Sequence, residues 1–330
     1  MKKMGIIGTK EMRKEGIMEK ILQVKNLEKS YKKNKAVDGL SFDVYEGEII
    51  GFLGPNGAGK STTIHMLSTI LKPDKGEILY FGKTIKKDLN EIKSSLGIVP
   101  QDLAIYDDVS AYKNVKFFAS LYGLKGKELE ERTLEALRFV GLEERKDDKP
   151  KTYSGGMKRR LNIACAIAHH PKILILDEPT VGIDPQSRNH ILDSIKTLRK
   201  MGTTVIYTTH YMEEVEEIAD RIIIMDMGKK IAEGTIKELL TKYKATRVYR
   251  FIISNIKSLD EFQYLYDIEG VKEVVQNEDV VKVTTEKQVD NLDKIIIQLT
   301  DNGCKIKNIM TEEGNLETVF LNLTGRNLRD

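Results

Sequence analysis

The sequence predicts an α/β fold on a mostly parallel sheet, with a helical insertion and a small C-terminal α+β domain. Short apolar runs bounded by Gly or Pro predict the sheet, and residues 102–168 contain no strand candidate. Beyond residue 241 the segments follow the order βαββαβ, which is typical of the ferredoxin-like arrangement. We therefore predict a disordered lead at 1–17, a main α/β domain at 18–241 and an accessory domain at 242–330.

The predicted core strands are short and rich in β-branched residues, and both faces of each are apolar. This pattern is typical of parallel strands covered by helices on both sides. The runs are Glu48–Leu53, Gly97–Val99, Lys172–Leu176 and Thr203–Tyr207. The insertion instead has helical spacing over residues 110–123, 127–140 and 155–169. It therefore predicts three helices inserted into the sheet domain, and His169 and His170 mark the end of the last one.

The accessory domain has its own alternation of strands and helices. Its predicted elements are a strand at Arg247–Ile253, a helix at Leu259–Tyr266, a hairpin at Val271–Thr285 that turns at Gln276–Asp279, a helix at Val289–Thr300 and a strand at Lys305–Met310. A last amphipathic segment follows at Leu316–Leu323. We expect its apolar residues to dock this domain onto the main domain or onto a second copy: Val319, Phe320 and Leu323.

Composition favours a globular protein and argues against nucleic-acid binding. The 330 residues are 40% hydrophobic and 31% charged, which fits two domains with apolar cores. The net charge of +3 is already reached in residues 1–17, so the chain from Met18 onward sums to zero. A protein that binds a phosphate backbone would instead carry a dense basic face. Met18 is also a second candidate for the initiator methionine.

Nothing in the sequence predicts an extracellular or membrane-spanning chain. Cys165 and Cys304 have no metal-binding or redox spacing, so a reducing cytosol is the simplest setting. No stretch approaches the roughly 18–20 apolar residues of a membrane span, and the N-terminus does not resemble a signal peptide. We therefore expect a cytoplasmic protein that meets a membrane only through a partner.

The strongest motif is GFLGPNGAGKST, which matches G-x-x-x-x-G-K-[ST] between a predicted strand and a predicted helix. Glycines let such a loop wrap around phosphates with its N–H groups inward, and the helix N-terminus adds positive charge. Lys60 would reach the β- and γ-phosphates, and Ser61 would bind Mg²⁺. A Gly-rich turn without a ligand is the alternative, which this context disfavours. The predicted nucleotide-binding residues are Gly54, Pro55, Asn56, Gly57, Ala58, Gly59, Lys60, Ser61 and Thr62.

The run KILILDEPT places two acidic residues at the carboxyl end of a buried strand, where ligands bind in open α/β sheets. Asp177 is placed to bind Mg²⁺ directly or through water. Glu178 is placed to polarise the attacking water, as phosphoryl transfer to water requires. Such a pair taken alone is usually a helix cap, but the phosphate loop in the same chain favours a catalytic site.

A third motif, YSGGMKRRL, places Ser154, Gly155 and Gly156 at the start of a helix. A helix N-terminus of this kind attracts anions. In isolation, a Ser N-cap followed by a solvated basic face at Lys158–Arg160 is the plainer interpretation. Three basic residues are too few to predict nucleic-acid binding.

Together and in this order, the motifs resemble the nucleotide-binding domains of ABC ATPases over approximately residues 20–240. The resemblance implies a P-loop NTPase core. It also implies that Tyr31 stacks on adenine and that Gln101 joins the core to the helical insertion and senses Mg²⁺ or the attacking water. His210 would bond the γ-phosphate, and Asp184 would contact the opposite subunit.

The resemblance further implies ATP hydrolysis, with ATP and Mg²⁺ as cofactors. Two copies would enclose two ATP molecules head-to-tail, and Ser154 and Gly156 of one copy would complete the γ-phosphate site of the other. Integral-membrane permease subunits would receive the motion and hold the chain at the inner face of the cell membrane. Permease helices meet this family after Gln101, so Tyr106 is either a core residue or part of that contact.

Departures from the family pattern narrow the branch. The third motif corresponds to the signature motif of the family, which is commonly LSGGQ and is YSGGM in this chain. Ile183 replaces the commoner Leu. With the ending LETVFLNLTGR, these features resemble the daunorubicin-resistance type, whose ATPase is a separate polypeptide with an α+β extension, and they predict an exporter. An ABC ATPase of DNA maintenance or translation is the alternative. The first would need a long coiled coil and the second a further ATPase domain, whereas this chain has a short insertion and one phosphate loop.

Overall fold

The structure is a computed structural model that describes residues 19–32, 34–243, 246–254, 259–286, 289–313 and 315–324. The predicted lead at 1–17, and Met18, lie outside the described residues. The strands of the described part are β1 Lys20–Tyr31, β2 Asn34–Tyr45, β3 Ile49–Leu53, β4 Lys75–Tyr80, β5 Lys83–Thr84, β6 Leu96–Val99, β7 Ile173–Asp177, β8 Thr204–Thr209, β9 Arg221–Asp226, β10 Lys229–Gly234, β11 Thr246–Ser254, β12 Val271–Asn277, β13 Val280–Glu286 and β14 Lys305–Glu313.

The α-helices of the described part are α1 Lys60–Leu67, α2 Ile85–Ser94, α3 Ala111–Leu121, α4 Gly126–Phe139, α5 Gly155–Ile167, α6 Pro185–Lys200, α7 Met212–Ile218, α8 Ile236–Lys242, α9 Leu292–Asp301 and α10 Leu316–Thr324. Short 3-10 helices lie at Glu143–Arg145, Pro150–Thr152 and Leu259–Asp267. No helix of the described residues is long and apolar enough to cross a membrane.

The central sheet has the strand order β10-β9-β3-β8-β7-β6, and its strands are parallel except for the antiparallel edge strand β10. Its β3, β6, β7 and β8 confirm the four predicted strands. Every residue of β3 and β7 is buried, because apolar layers cover both faces of the sheet. The carboxyl ends of β3, β7 and β8 meet at one edge, which positions the phosphate loop beside Asp177 and Glu178.

A second, antiparallel sheet has the order β2-β1-β4-β5, and the sequence patterns above do not single it out. Strands β1 and β2 form a hairpin in which Tyr31 lies opposite Asn34. Buried Leu22, Leu40 and Val44 share a core with Ile64 of α1. This packing brings the hairpin end, and therefore Tyr31, next to the phosphate loop.

The helical insertion is confirmed as α3, α4 and α5, and the described residues between 102 and 168 contain no strand. Its buried residues Val115, Leu137 and Leu161 belong to the same core as Leu174 of β7, so the insertion is joined to the sheet through α5. Tyr106 is half exposed, at 51%, and contacts the rings of Phe117 and Phe118.

The C-terminal sheet is antiparallel, with the order β12-β13-β11-β14. The predicted hairpin forms as β12 and β13, and the second predicted helix forms as α9. The helix predicted at Leu259–Tyr266 is wrong, because Leu259–Asp267 forms a 3-10 helix. Phe262, Leu265 and Ile268 are all buried, and their spacing of three residues matches the three residues per turn of a 3-10 helix.

The last helix, α10, packs against the main domain and not against the C-terminal sheet. Leu316, Val319 and Phe320 are buried in one cluster with Leu53 of β3 and Val215 of α7. The Leu316 N–H donates a hydrogen bond of 2.9 Å to Glu216 Oε1 of α7. The sequence predicts that this segment docks either on the main domain or on a second copy, and the structure shows it docked on the main domain. Removing the chain after residue 241 would uncover this cluster, and the division at 241/242 stays a prediction.

Candidate active site

A cleft of about 620 Å³ lies over the carboxyl ends of β3 and β7. Its volume is in the range of pockets that hold small ligands. The sequence-predicted residues that line it are Tyr31, Asn56, Gly57, Gly59, Lys60, Ser61, Thr62, Gln101 and Glu178. Four further lining residues were not predicted: Asn34, Lys35, Ala36 and Met227. The predicted site residues outside the lining set are Gly54, Pro55, Ala58, Ser154, Gly155, Gly156, Asp177, Asp184 and His210.

The phosphate loop is tightly enclosed at two of its glycines. Gly59 has a φ of 100°, and a Cβ there would lie 2.3 Å from the Ala36 carbonyl oxygen. A Cβ at Gly54 would lie 2.5 Å from the Met225 carbonyl oxygen. Helix α1 begins at Lys60 without a side-chain cap. The N–H groups of its first turn are therefore available to an anion, as a phosphate site requires.

Lys60 is buried and lies across this loop. Its Nζ donates hydrogen bonds of 2.7 Å to the Gly54 carbonyl and 3.2 Å to the Pro55 carbonyl. The same Nζ lies 3.7 Å from Glu178 Oε1. Burial lowers the pKa of Lys60, and the neighbouring carboxylates Glu178 and Asp177 oppose that shift. The arrangement fixes an ammonium group at the cleft wall where a phosphate would need a counter-charge.

Asp177 and Glu178 are both buried at the end of β7. Asp177 Oδ1 accepts a hydrogen bond of 2.6 Å from Thr208 Oγ1, on the neighbouring strand β8. Glu178 has a φ of 45°, which is uncommon for a residue other than glycine. Its N–H donates to Thr208 Oγ1 at 3.0 Å. Thr208 therefore holds both residues, and the unusual backbone carries the Glu178 side chain to the cleft.

The three predicted catalytic residues converge. Gln101 Nε2 donates to Glu178 Oε2 over 3.4 Å, and His210 Nδ1 lies 3.4 Å from Glu178 Oε1. Gln101 follows β6 and His210 follows β8, so three neighbouring strand ends deliver one carboxylate, one amide and one imidazole. This constellation can hold a water molecule beside a phosphate and accept its proton.

The oxygen donors of the cleft fit a magnesium ion that is shared with a nucleotide. Ser61 and Gln101 line the cleft, and the Asp177 carboxylate lies behind it. Mg²⁺ prefers oxygen ligands and usually takes one or two carboxylates together with substrate phosphates and water. No group of three or more His, Cys, Asp or Glu side chains among the described residues is placed to hold a metal. Phosphate oxygens of a bound nucleotide would complete the coordination.

The signature residues lie elsewhere. Ser154 and Gly155 are exposed at the start of α5, and Ser154 Oγ accepts a hydrogen bond of 3.3 Å from the Met157 N–H. Gly156 is buried, and a Cβ there would lie 2.0 Å from Ser187 Oγ of α6. The absence of a side chain at Gly156 is thus required by packing within its own chain.

Asp184 lies next to the signature residues on the surface of the same chain. It is exposed and caps α6, where its Oδ1 accepts a hydrogen bond of 2.9 Å from the Ser187 N–H. This backbone hydrogen bond lowers the pKa of Asp184. Ser187 contacts both the Asp184 cap and the position of Gly156, so the signature and the Asp184 loop form one continuous surface.

Comparison with known proteins decides the family. The profile described as ABC transporter matches residues 37–181. The linearmycin resistance ATP-binding protein LnrL of Bacillus subtilis (strain 168) is 44% identical over 94% of this chain and 100% of its own length. The chain belongs to the ABC transporter family of ATP-binding proteins. It is an ATP-binding subunit and an ATPase.

A second relative and two solved structures of similar proteins agree with this assignment. The daunorubicin/doxorubicin resistance ATP-binding protein DrrA of Streptomyces peucetius is 35% identical, over 92% of each chain. The cbiO1 subunit of the cbiONQ transporter of Clostridium perfringens is 35% identical, with a TM-score of 0.62 over 68% of this chain and 91% of that one. A dimeric post-hydrolysis state of the cassette MJ0796, bound to ADP and Pi, is 28% identical, with a TM-score of 0.60 over 65% and 98%. The predicted P-loop fold of an ABC ATPase and the predicted branch are confirmed.

Proposed function

We propose that this ABC ATPase is the nucleotide-binding subunit of an exporter and that two copies enclose two ATP molecules head-to-tail. One observation carries the proposal. Lys60, Gln101 and Glu178 line a single cleft, whereas Ser154 is exposed outside it at the start of α5. An exposed helix N-terminus that begins with a serine cap can bind the phosphate of a nucleotide held by another molecule. A second copy is the natural source of that nucleotide.

Within the cleft each residue has a distinct task. The first-turn N–H groups of α1 and the Lys60 ammonium bind the β- and γ-phosphates. Glu178 polarises the attacking water, and Gln101 holds the Glu178 carboxylate through its side-chain amide. His210 lies where it can bond the γ-phosphate, and Tyr31 offers a half-exposed ring to adenine, at 48% exposure. Mg²⁺, held by Ser61, Gln101 and Asp177, would neutralise charge on the phosphates.

Between the two copies, the surface formed by the signature and the Asp184 loop faces the partner. Ser154, Gly155 and Gly156 present their helix N-terminus to the partner's γ-phosphate, and Asp184 contacts the partner's loop. Closure requires nucleotide, because the phosphates supply the negative charge that two helix N-termini share. Hydrolysis and phosphate release remove that charge and reopen the dimer.

The relatives support a direction of transport, and an exposed apolar surface supports contact with a permease. The relatives include drug-resistance ATP-binding proteins and Nod factor export ATP-binding proteins, which supports export by this chain. The segment that follows Gln101 exposes large apolar side chains at Tyr106, Phe117 and Leu121. We assign this surface to a separate integral-membrane permease, which would hold the ATPase in the cytoplasm at the inner face of the cell membrane.

The variant Tyr106→Asp tests the permease contact. We expect the tagged wild-type chain to copurify with an integral-membrane protein from detergent-solubilised membranes, and the variant to recover several-fold less of it. ATP hydrolysis by the isolated variant should stay within about twofold, because exposed substitutions away from the site rarely disturb the fold. The variant Leu89→Asp, at another exposed apolar position, is the control. Equal recovery with both variants would contradict the assignment.

The variant Ser154→Arg tests the head-to-tail dimer. We expect ATP binding to the monomer to stay within about twofold and turnover to fall at least roughly 100-fold, because the cleft keeps its own residues while the partner loses its oxyanion site. Fluorescent-nucleotide titration and phosphate release measure the two quantities. The control is Ser110→Arg, which removes the corresponding cap of α3 at a similar cost of about 1 kcal/mol. Loss of ATP binding in the Ser154 variant would place the signature in its own chain's site instead.

A further inference from the structure

Arg159 joins the signature helix to the segment that carries Gln101. It lies on α5, five residues after Ser154, and only 6% of its surface is exposed. Its Nη1 donates a hydrogen bond of 2.9 Å to the Pro100 carbonyl, and its Nη2 donates one of 2.7 Å to the Gln101 carbonyl. One planar guanidinium therefore hydrogen-bonds the carbonyl groups of two consecutive residues between β6 and the helical insertion.

Joining a helix to a loop through a buried charged side chain costs desolvation free energy. Arg159 is a buried cation that donates hydrogen bonds to these two neutral carbonyl oxygens. Burial lowers the pKa of Arg159, and the charge of Asp102 opposes that shift. Its Nε has no hydrogen-bond partner within the part of the chain that the structure describes. Well-packed apolar side chains can replace buried ionic contacts without loss of stability. The two directed hydrogen bonds of the guanidinium therefore point to a need for position rather than for stability.

We propose that Arg159 is a positioning residue that couples the signature helix to Gln101 of the same chain. The proposal rests on the proposed function, in which Ser154 meets the nucleotide of the partner. Five residues of a helix span about 7.5 Å, so α5 connects Ser154 rigidly to Arg159. Arg159 holds the Gln101 backbone, and the Gln101 side chain bonds Glu178.

The coupling links the two ATP sites of the dimer. Ser154 and Gln101 of one chain serve different nucleotides, since Ser154 faces the partner's ATP and Gln101 lines its own chain's cleft. A shift of α5 on dimer closure would move the Gln101 carbonyl with it and adjust the Gln101–Glu178 hydrogen bond. Each chain can thus align its own Glu178 only after its signature has engaged.

A double-mutant cycle tests this role. We expect Arg159→Gln to leave the Kd for ATP within about twofold but to lower kcat roughly tenfold, in the range of measured couplings through such networks. In the Gln101→Ala background the same change should lower kcat less than about twofold, because the group through which Arg159 acts is already gone. Arg159→Lys keeps the charge and can reach one carbonyl, so its kcat should lie between those of Arg159→Gln and the wild type.

The neighbouring arginine supplies the matched control. Arg160 also donates from α5 to a carbonyl, that of Val140 at 2.9 Å, but not to the Gln101 segment. Arg160→Gln should change kcat by the same factor with and without Gln101→Ala. An unchanged kcat for Arg159→Gln, or equal factors for it in both backgrounds, would overturn the proposal.

Two further measurements keep the outcome interpretable. If Arg159→Gln does not fold, Arg159→Lys is assessed by the same cycle, with its melting temperature compared with that of the wild type. Ser154→Arg is assayed alongside. Normal turnover of that variant would contradict the head-to-tail dimer itself. If Ser154→Arg loses turnover but Arg159→Gln lowers kcat by the same factor with and without Gln101→Ala, the coupling is contradicted and the head-to-tail dimer is not.

Discussion

Replacement of Lys60 by alanine should abolish tight ATP binding. Hydrogen bonds to charged groups contribute about 1.5–3 kcal/mol each, so the loss of contacts to two phosphates should weaken affinity by roughly 10²–10⁴-fold. The effect is large because Lys60 is 5% exposed and therefore poorly screened by water. Isothermal titration calorimetry with ATP measures it directly. An unchanged affinity would refute the phosphate-loop assignment.

Lys35 provides the control for the Lys60 variant. It lines the same cleft but is largely exposed and forms ion pairs with Asp38 and Glu28. Exposed ion pairs contribute about 0–1 kcal/mol, so Lys35→Ala should weaken ATP binding by less than about tenfold. Similar losses in both variants would mean that cleft charge in general, rather than the buried ammonium, holds the nucleotide. Melting temperatures of both variants establish that they are folded.

The sequence was most informative where structure depends on local chemistry. The phosphate loop needs glycines, a lysine and a serine within a few residues, and the structure has them between β3 and α1. The four core strands are equally local, because continuous β-branched runs bury both faces in a parallel sheet. Asp177 and Glu178 were placed correctly at the end of β7, since a ligand site follows from the strand end on which they stand.

The parts of the site that depend on distant contacts were missed. The hairpin of β1 and β2 supplies Asn34, Lys35 and Ala36 to the cleft, yet its mixed polarity gives no sharp pattern. The sequence predicts only phosphate binding for Gly156, whereas its close approach to Ser187 is a contact between α5 and α6. No spacing in the sequence announces a partner some thirty residues away.

Arg159 is the clearest case of a missed contact. The plainer interpretation of Lys158–Arg160, a solvated basic face, is wrong for Arg159, which is buried. Its guanidinium is buried against the carbonyls of Pro100 and Gln101, which lie 59 and 58 positions earlier in the chain. Lys158, its neighbour, does reach the surface and pairs with Asp107 at 2.8 Å. Only the fold distinguishes the two.

Glu178→Gln should separate ATP binding from hydrolysis. Glutamine has the same shape but cannot accept the proton of the attacking water, so hydrolysis should slow by roughly 10²–10⁴-fold, the usual contribution of a general base. Binding should persist, because the Lys60 ammonium remains and one negative charge is removed from the neighbourhood of the γ-phosphate. Phosphate-release assays at saturating ATP measure the loss.

The same variant should accumulate as a dimer with ATP and Mg²⁺, since closure is driven by nucleotide and reopening by hydrolysis. Size-exclusion chromatography with light scattering measures the dimer, and Mg²⁺ chelation should reduce it. Glu48→Gln is the matched control: Glu48 is also buried, at 4% exposure, but pairs with Arg221 away from the cleft. Loss of the Glu48 charge in this control should lower the melting temperature without trapping a dimer. A Glu178 variant that stays monomeric and turns over normally would show that another group activates the water.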